Sequence, residues 1–136
     1  MSYSAKGIPH MKNILIVDDN YSFLLGLSMN LCVHLKDCNV LTAVDGGKAL
    51  EIMRFMPVDC LVAGLEMPSP DGYELLRSVR KNHPTLPVYV MTAGRPEMDD
   101  RFALLGASRC VAKPLAFKEL AGLIASELKV CALAAA

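Results

Sequence analysis

Short aliphatic runs alternate along the chain with segments of helical periodicity. Five runs predict strands: NILIVD (13–18), NVLTA (39–43), VDCLVAG (58–64), PVYVMT (87–92) and RCVA (109–112). Most are apolar on both faces, the pattern of a parallel sheet covered on each side by helices. Between them lie the helical stripes. Leu24, Leu27, Leu31 and Leu35 recur at helix spacing behind Asn20, a residue type suited to an N-cap. Ala49, Ile52, Met53 and Met56 form a second stripe, opened by Asp45 and stopped at Pro57. A third opens on DGYE, where Asp71 and Glu74 have capping-box spacing, carries Leu75, Leu76 and Val79, and ends before Pro84. The fourth starts near Pro96, includes Phe102 and Leu105, and stops at Gly106, a residue suited to a left-handed C-terminal position. The fifth runs from about Leu115 with Leu120, Leu123, Ile124 and Leu128 on one face.

Five strand–helix units in strict alternation predict an α/β three-layer sandwich with right-handed crossovers around a parallel five-stranded sheet. The expected organisation is a flexible leader over 1–11, one domain over 12–130, and a tail over 131–136 that reads as a fraying helix end or a cloning scar. The leader lacks the apolar centre of a signal peptide, and no apolar run approaches membrane-spanning length.

Composition narrows the function classes. An apolar fraction of 53% with only 6% aromatic residues suits aliphatic strands under helices. Lysine plus arginine equals aspartate plus glutamate at 14 each, so there is no global basic field, and no direct nucleic-acid contact is expected. Five cysteines (32, 38, 60, 110 and 131) are scattered without a CxxC, and the histidines at 10, 34 and 83 are equally dispersed. That pattern reads as buried free thiols in a reducing cytoplasm rather than a disulfide framework or a zinc site. The Gly46–Gly47 pair invites a nucleotide loop, but neither GxGxxG nor a GK[ST] ending accompanies it, and it reads as the start of a helix behind Asp45. Nothing in the chain supports hydrolase or oxidoreductase machinery, and no enzymatic activity is expected.

In a parallel sheet of this kind, chemistry gathers at the carboxyl ends of the strands. Those ends carry Asp18 and Asp19 after strand one, Gly64 after strand three, Thr92 after strand four and Lys113 after strand five. Singly, each is an ordinary cap, turn residue or half of an ion pair. Together, two carboxylates, a hydroxyl and an ammonium around one crevice suit a divalent cation and an anionic oxygen group. Gly64 stands out because it brings no side chain.

Four motifs make this layout specific: ILIVDDN (14–20), LEMPSPDGYEL (65–75), VMTAG (90–94) and GASRCVAKPLAFKEL (106–120). With DD, MPxxDG, TA and KP in that order, the chain resembles the receiver domains of bacterial two-component response regulators over roughly residues 12 to 130. The resemblance implies a flavodoxin-like (βα)5 fold with strand order 2-1-3-4-5. It also implies a phosphoryl switch, in which an aspartate at the end of strand three takes a phosphoryl group. The acidic pair on strand one holds Mg²⁺, and the Thr hydroxyl and the Lys ammonium contact the phosphoryl oxygens. Carried over, Asp18 and Asp19 match the acidic pair, and Thr92 and Lys113 match the phosphate contacts. The acceptor position falls on Gly64. Cys110 occupies the switch position, where the family usually has Tyr or Phe.

The resemblance therefore implies a pseudo-receiver: a signalling module of a two-component system or phosphorelay that acts by protein contact without being phosphorylated. Its expected partner is a sensor kinase, an output protein or a second copy. The expected surface is built by the fourth helical segment, the fifth strand and the fifth helical segment, with Arg95, Arg101, Arg109 and Lys118 beside Cys110 and Phe102. Mg²⁺ binding at Asp18 and Asp19 is expected to be weak, and Lys113 is expected to pair with these acids, because unpaired buried carboxylates are costly. Two alternatives stay open. One is phosphorylation of another carboxylate, either Asp19 or Glu66, with Glu66 placed on a mobile loop. The other is a flavodoxin-like domain that binds a small ligand. A glycine at 64 also leaves room for an unusual φ or a close backbone approach.

Overall fold

The computed structural model describes residues 11–68, 70–93, 106, 109–113 and 117–130. The elements follow as β1 (Lys12–Val17), α1 (Tyr21–His34), β2 (Cys38–Ala43), α2 (Gly46–Phe55), β3 (Cys60–Gly64), α3 (Gly72–Asn82), β4 (Val88–Thr92), β5 (Arg109–Ala112) and α4 (Phe117–Leu128). The five strands form one sheet in the order β2-β1-β3-β4-β5, and every neighbouring pair is parallel. This is the flavodoxin-like (βα)5 arrangement expected from the sequence. The fourth helical segment expected from Pro96 lies outside the described residues except for Gly106. That residue has φ +69°, as a left-handed C-terminal position requires. The leader up to His10 and the tail from Cys131 also lie outside them.

Helices α1, α2 and α3 begin where the side-chain chemistry of the preceding residue dictates. Asn20 accepts from the Phe23 N–H at 3.0 Å, and Asp45 accepts from the Lys48 N–H at 2.7 Å. Asp71 and Glu74 complete a reciprocal capping box, each side chain accepting the other's backbone N–H at 2.9 Å. The helix ends also follow the sequence. Met56 is already the extended C-cap residue before Pro57, and His83 caps α3 before Pro84.

Alternation along the strands divides the core between the two faces of the sheet. Leu15, Val17, Leu61, Ala63, Val88 and Val90 pack against Ala49, Met53, Leu75, Leu76 and Val79 of α2 and α3. Ile14, Ile16, Cys60, Val62, Tyr89 and Met91 pack against Leu24, Leu27, Leu31, Leu120 and Ile124 of α1 and α4. Full burial of one aliphatic side chain of this size contributes about 1.5–3 kcal/mol. The amino edge of the sheet is tied by Asn13, whose Nδ2 donates to Pro57 O at 2.7 Å and whose Oδ1 accepts from Asn39 Nδ2 at 3.1 Å.

Helix α1 departs from ordinary amphipathicity. Its inner face is the expected leucine stripe, yet Tyr21, Leu25, Met29 and Val33 stand exposed in a row at four-residue spacing. None of its 14 residues carries Asp, Glu, Lys or Arg.

Of the described thiols, Cys60 and Cys110 are buried as expected, whereas Cys32 is exposed and Cys38 half-buried. Cys32, Cys38, Cys60 and Cys110 form no disulfide, and no cluster of three His, Cys, Asp or Glu suited to a metal occurs among the described residues. Burial pushes the Cys60 thiol far above its ordinary range. Burial, followed by the nearby charges of Asp37 and Asp59, pushes Cys38 up to about 11. At pH 8 such a group is only about one part in a thousand thiolate, the reactive form. A maleimide at pH 8 is expected to modify exposed Cys32 first, Cys38 slowly, and Cys60 only on unfolding. Peptide mapping of the adducts over time checks this, and prompt labelling of Cys60 in the folded chain would contradict it.

Candidate functional site

The carboxyl edge of the sheet is assembled by continuation of the strand ladders past their ends. The Asp18 N–H donates to Ala43 O at 3.1 Å, the Leu65 N–H to Met91 O at 2.7 Å, and the Lys113 N–H to Thr92 O at 2.8 Å. The exits of β1, β3, β4 and β5 are thereby fixed side by side. Gly64 stands opposite Met91 and next to the β1 exit. Asp18, Gly64, Thr92 and Lys113 therefore share one crevice, as expected from the sequence.

The two adjacent aspartates have opposite fates. Asp18 is wholly buried, and its Oδ1 accepts from the Asn20 N–H at 2.9 Å. Its Oδ2 accepts from Lys113 Nζ in an ion pair whose lysine side chain is only 19% exposed. The ammonium also lies 4.6 Å from the centroid of the Phe23 ring, a cation–π distance, and Phe23 is braced edge-on by Phe117 at 6.0 Å. Asp19 is exposed.

Gly64 is an ordinary strand residue with no left-handed φ, since Gly106 is the only glycine with a positive φ among the described residues. Its significance is space. A Cβ built on Gly64 would lie 2.7 Å from Asp18 Oδ2 and 3.4 Å from its Cγ. The Asp18 carboxylate thus stands where a side chain at 64 would have to begin. Gly72 makes the second close approach. A Cβ there would meet Gly64 O at 2.5 Å and Leu65 Cα at 2.7 Å, so the first turn of α3 rests directly on the β3 exit.

At the other side of the crevice, Thr92 is buried and its Oγ1 donates to Glu66 Oε2 at 2.8 Å. The Ala93 N–H donates to Glu66 Oε1 at the same distance. Glu66 was expected on a mobile loop, but its flanks are anchored. Leu65 is bonded to β4 as above, Leu65 O accepts from the Gly72 N–H at 3.0 Å, and Met67 is buried. The roles of Glu66 toward Thr92 and of Phe23 beneath Lys113 are not evident from the sequence. Each partner lies tens of residues away and is brought close only by the sheet order.

Cys110 is buried in β5 opposite Val90, in the core shared with α2 and α3. Of the expected partner surface, Arg95, Arg101 and Phe102 lie outside the described residues, and Lys118 is exposed on α4. Asp18 and Asp19 fit a divalent cation poorly. Mg²⁺ calls for an octahedral set of oxygens, and here one carboxylate is already neutralised by Lys113 while the other is exposed. A cavity of about 470 Å³ lies between the C-terminal ends of α2 and α3, lined by Leu50, Met53, Arg54, Val79, Lys81 and His83 among others. It sits at the opposite edge from the crevice, away from the position where a flavodoxin-like fold places its ligand.

Comparison with known proteins agrees with this fold. The family model for the response regulator receiver domain matches residues 14–125. The chain is 33% identical over 109 residues to the sensor protein EvgS of Escherichia coli K12, covering 79% of this chain and 9% of that protein. It is 34% identical over 113 residues to the transcriptional regulatory protein QseB of Haemophilus influenzae, covering 82% of this chain and 49% of that one. The chain therefore spans about half the length of such regulators. In fold it is similar to a CheY-like receiver domain protein of Methanospirillum hungatei, with a TM-score of 0.79 and 23% identity over 88% of this chain and 94% of that one.

Proposed function

The chain belongs to the response regulator receiver domain family, whose members are signalling modules rather than enzymes, and from that premise we propose that this one signals without being phosphorylated. One observation carries the reading: the β3 exit ends in Gly64, and the space before it is held by Asp18 in its ion pair with Lys113. The nucleophile of the phosphoryl switch is missing, and the groups that would surround it are bonded to each other. The module acts through protein contact in the cytoplasm, with a sensor kinase, an output protein or a second copy as partner. The names of its relatives, a sensor protein and a transcriptional regulatory protein, support this range of partners. The exposed apolar row on charge-free α1 also supports a role in protein contact.

Neither other carboxylate suits the acceptor role. Both oxygens of Glu66 accept hydrogen bonds, and Asp19 is exposed to solvent, where no positioned donor among the described residues holds it for attack. A reacting atom misplaced by 1 Å costs on the order of 10²-fold in rate. Mass spectrometry after exposure to acetyl phosphate and Mg²⁺ tests the reading. The expected result is no phosphoryl adduct, and a stoichiometric one would overturn it. Calorimetric titration with Mg²⁺ is expected to show at most weak saturation, and micromolar binding would contradict the proposed pocket.

A further inference from the structure

Glu66 is held more firmly than a loop carboxylate needs to be. The Leu65 N–H is bonded to Met91 O, Leu65 O accepts from both the Met67 and Gly72 N–H groups, and the Met67 side chain is buried. Between these anchors the carboxylate projects across the crevice to two donors on successive residues, the Thr92 hydroxyl and the Ala93 N–H, each at 2.8 Å. A hydroxyl and an amide that converge on a pair of negatively charged oxygens form an oxyanion site, and hydrogen bonds to ionised acceptors are the stronger kind. Here the oxyanion belongs to the chain itself.

We propose that Glu66 is the internal ligand of this site: its carboxylate stands in for an external oxyanion on Thr92 and Ala93 and holds the exit of β4 in a single arrangement. The inference deepens the phosphorylation-independent reading and rests on it, since a covalent phosphoryl group would compete for the same donors. A ligand tethered one residue from an anchored backbone acts at an effective concentration in the millimolar range or above. A dissolved oxyanion must exceed that level before it displaces the side chain. Glu66 thus makes the site deaf to ambient phosphate as well as fixing its shape.

The test is NMR on the full ¹⁵N-labelled chain and on Glu66→Ala and Glu66→Gln, with inorganic phosphate as the probe. In the unaltered chain, the Ala93 amide is expected to exchange slowly with solvent, and its resonance to stay fixed up to about 10 mM phosphate. In Glu66→Ala, exchange at Ala93 is expected to be at least about tenfold faster, as one protecting bond is lost. The Ala93 resonance should then move saturably with phosphate. Glu66→Gln is expected to fall between the two, because a carboxamide oxygen satisfies one donor without the charge. Amides of Leu61 and Val62 in β3 report that the fold is intact, and if Glu66→Ala disturbs them the comparison passes to Glu66→Gln. Equal exchange at Ala93 in all three proteins would overturn the proposal. So would a resonance in the unaltered chain that follows phosphate as the alanine variant does. No phosphodonor is present, so failure here leaves the phosphorylation-independent reading standing. An adduct with acetyl phosphate would remove that reading while leaving the Glu66 contacts to be judged by exchange alone.

Discussion

Replacing Lys113 with methionine is expected to lower the melting temperature by roughly 10–20 °C, a loss of about 3–5 kcal/mol, the range for removing one partner of a buried ion pair. Asp18 has no route to solvent: it is wholly buried, and only the Asn20 N–H remains to compensate its charge once the ammonium is gone. The Lys113 side chain lies across the Phe23 ring, so methionine preserves most of the packing and isolates the loss of charge. The double variant Asp18→Asn/Lys113→Met is expected to recover most of the stability, since a neutral carboxamide still accepts from Asn20. Thermal or urea denaturation of the two single variants and the double gives the coupling directly. A Lys113→Met chain as stable as the original would mean that Asp18 is not relying on the lysine.

Restoring a carboxylate at position 64 is expected to destabilise the chain unless Mg²⁺ is added. In Gly64→Asp, the new Cβ would start 2.7 Å from Asp18 Oδ2, so Asp18 must turn away from the position it shares with Lys113. Forcing a side chain into a filled site costs about 1–3 kcal/mol, and the added negative charge beside Asp18 increases the cost. The expected drop in melting temperature is roughly 5–10 °C in the presence of a chelator. Gly64→Ala, with the same Cβ and no charge, is expected to lose less. Mg²⁺ should then divide the proteins. An Asp at 64 beside Asp18, with exposed Asp19 adjoining, is expected to supply an oxygen-rich site that the original pair does not, and a cation at a hundredfold its dissociation constant returns about 2.7 kcal/mol. The melting temperature of Gly64→Asp should rise with Mg²⁺ and that of the original chain should not. If Gly64→Asp melts with the original in chelator, Asp18 has room to turn aside and does not crowd position 64.

The architecture was legible because it rests on local signals. Aliphatic runs, caps and stops place the described strands and helices to within about two residues, the sheet order 2-1-3-4-5 came from the family resemblance, and the Asp71–Glu74 box formed as its spacing predicts. The strand ends were legible for the same reason, since Asp18, Gly64, Thr92 and Lys113 each follow an apolar run. What stayed hidden depends on direction or distance. Whether Asp18 or Asp19 turns inward is decided by the phase of β1 as it leaves the sheet, and two identical neighbouring residues carry no mark of it. Glu66 meets Thr92 across 26 residues through two hydrogen bonds that no periodicity announces. The outer face of α1 was obscured by its inner face: a helix apolar on both sides gives no contrast from which to read an exposed row.

The bonds from Lys113 to Asp18 and from Glu66 to Thr92 have a consequence for how such a module conveys a signal. A receiver that can be modified has two controls, the number of copies and the fraction in the active form. If, as proposed, the chain signals without being phosphorylated, the second control is absent. Occupancy of any partner is then set by mass action alone, by the concentration of this chain relative to the dissociation constant. On that proposal its message is its abundance, written by synthesis and erased by degradation.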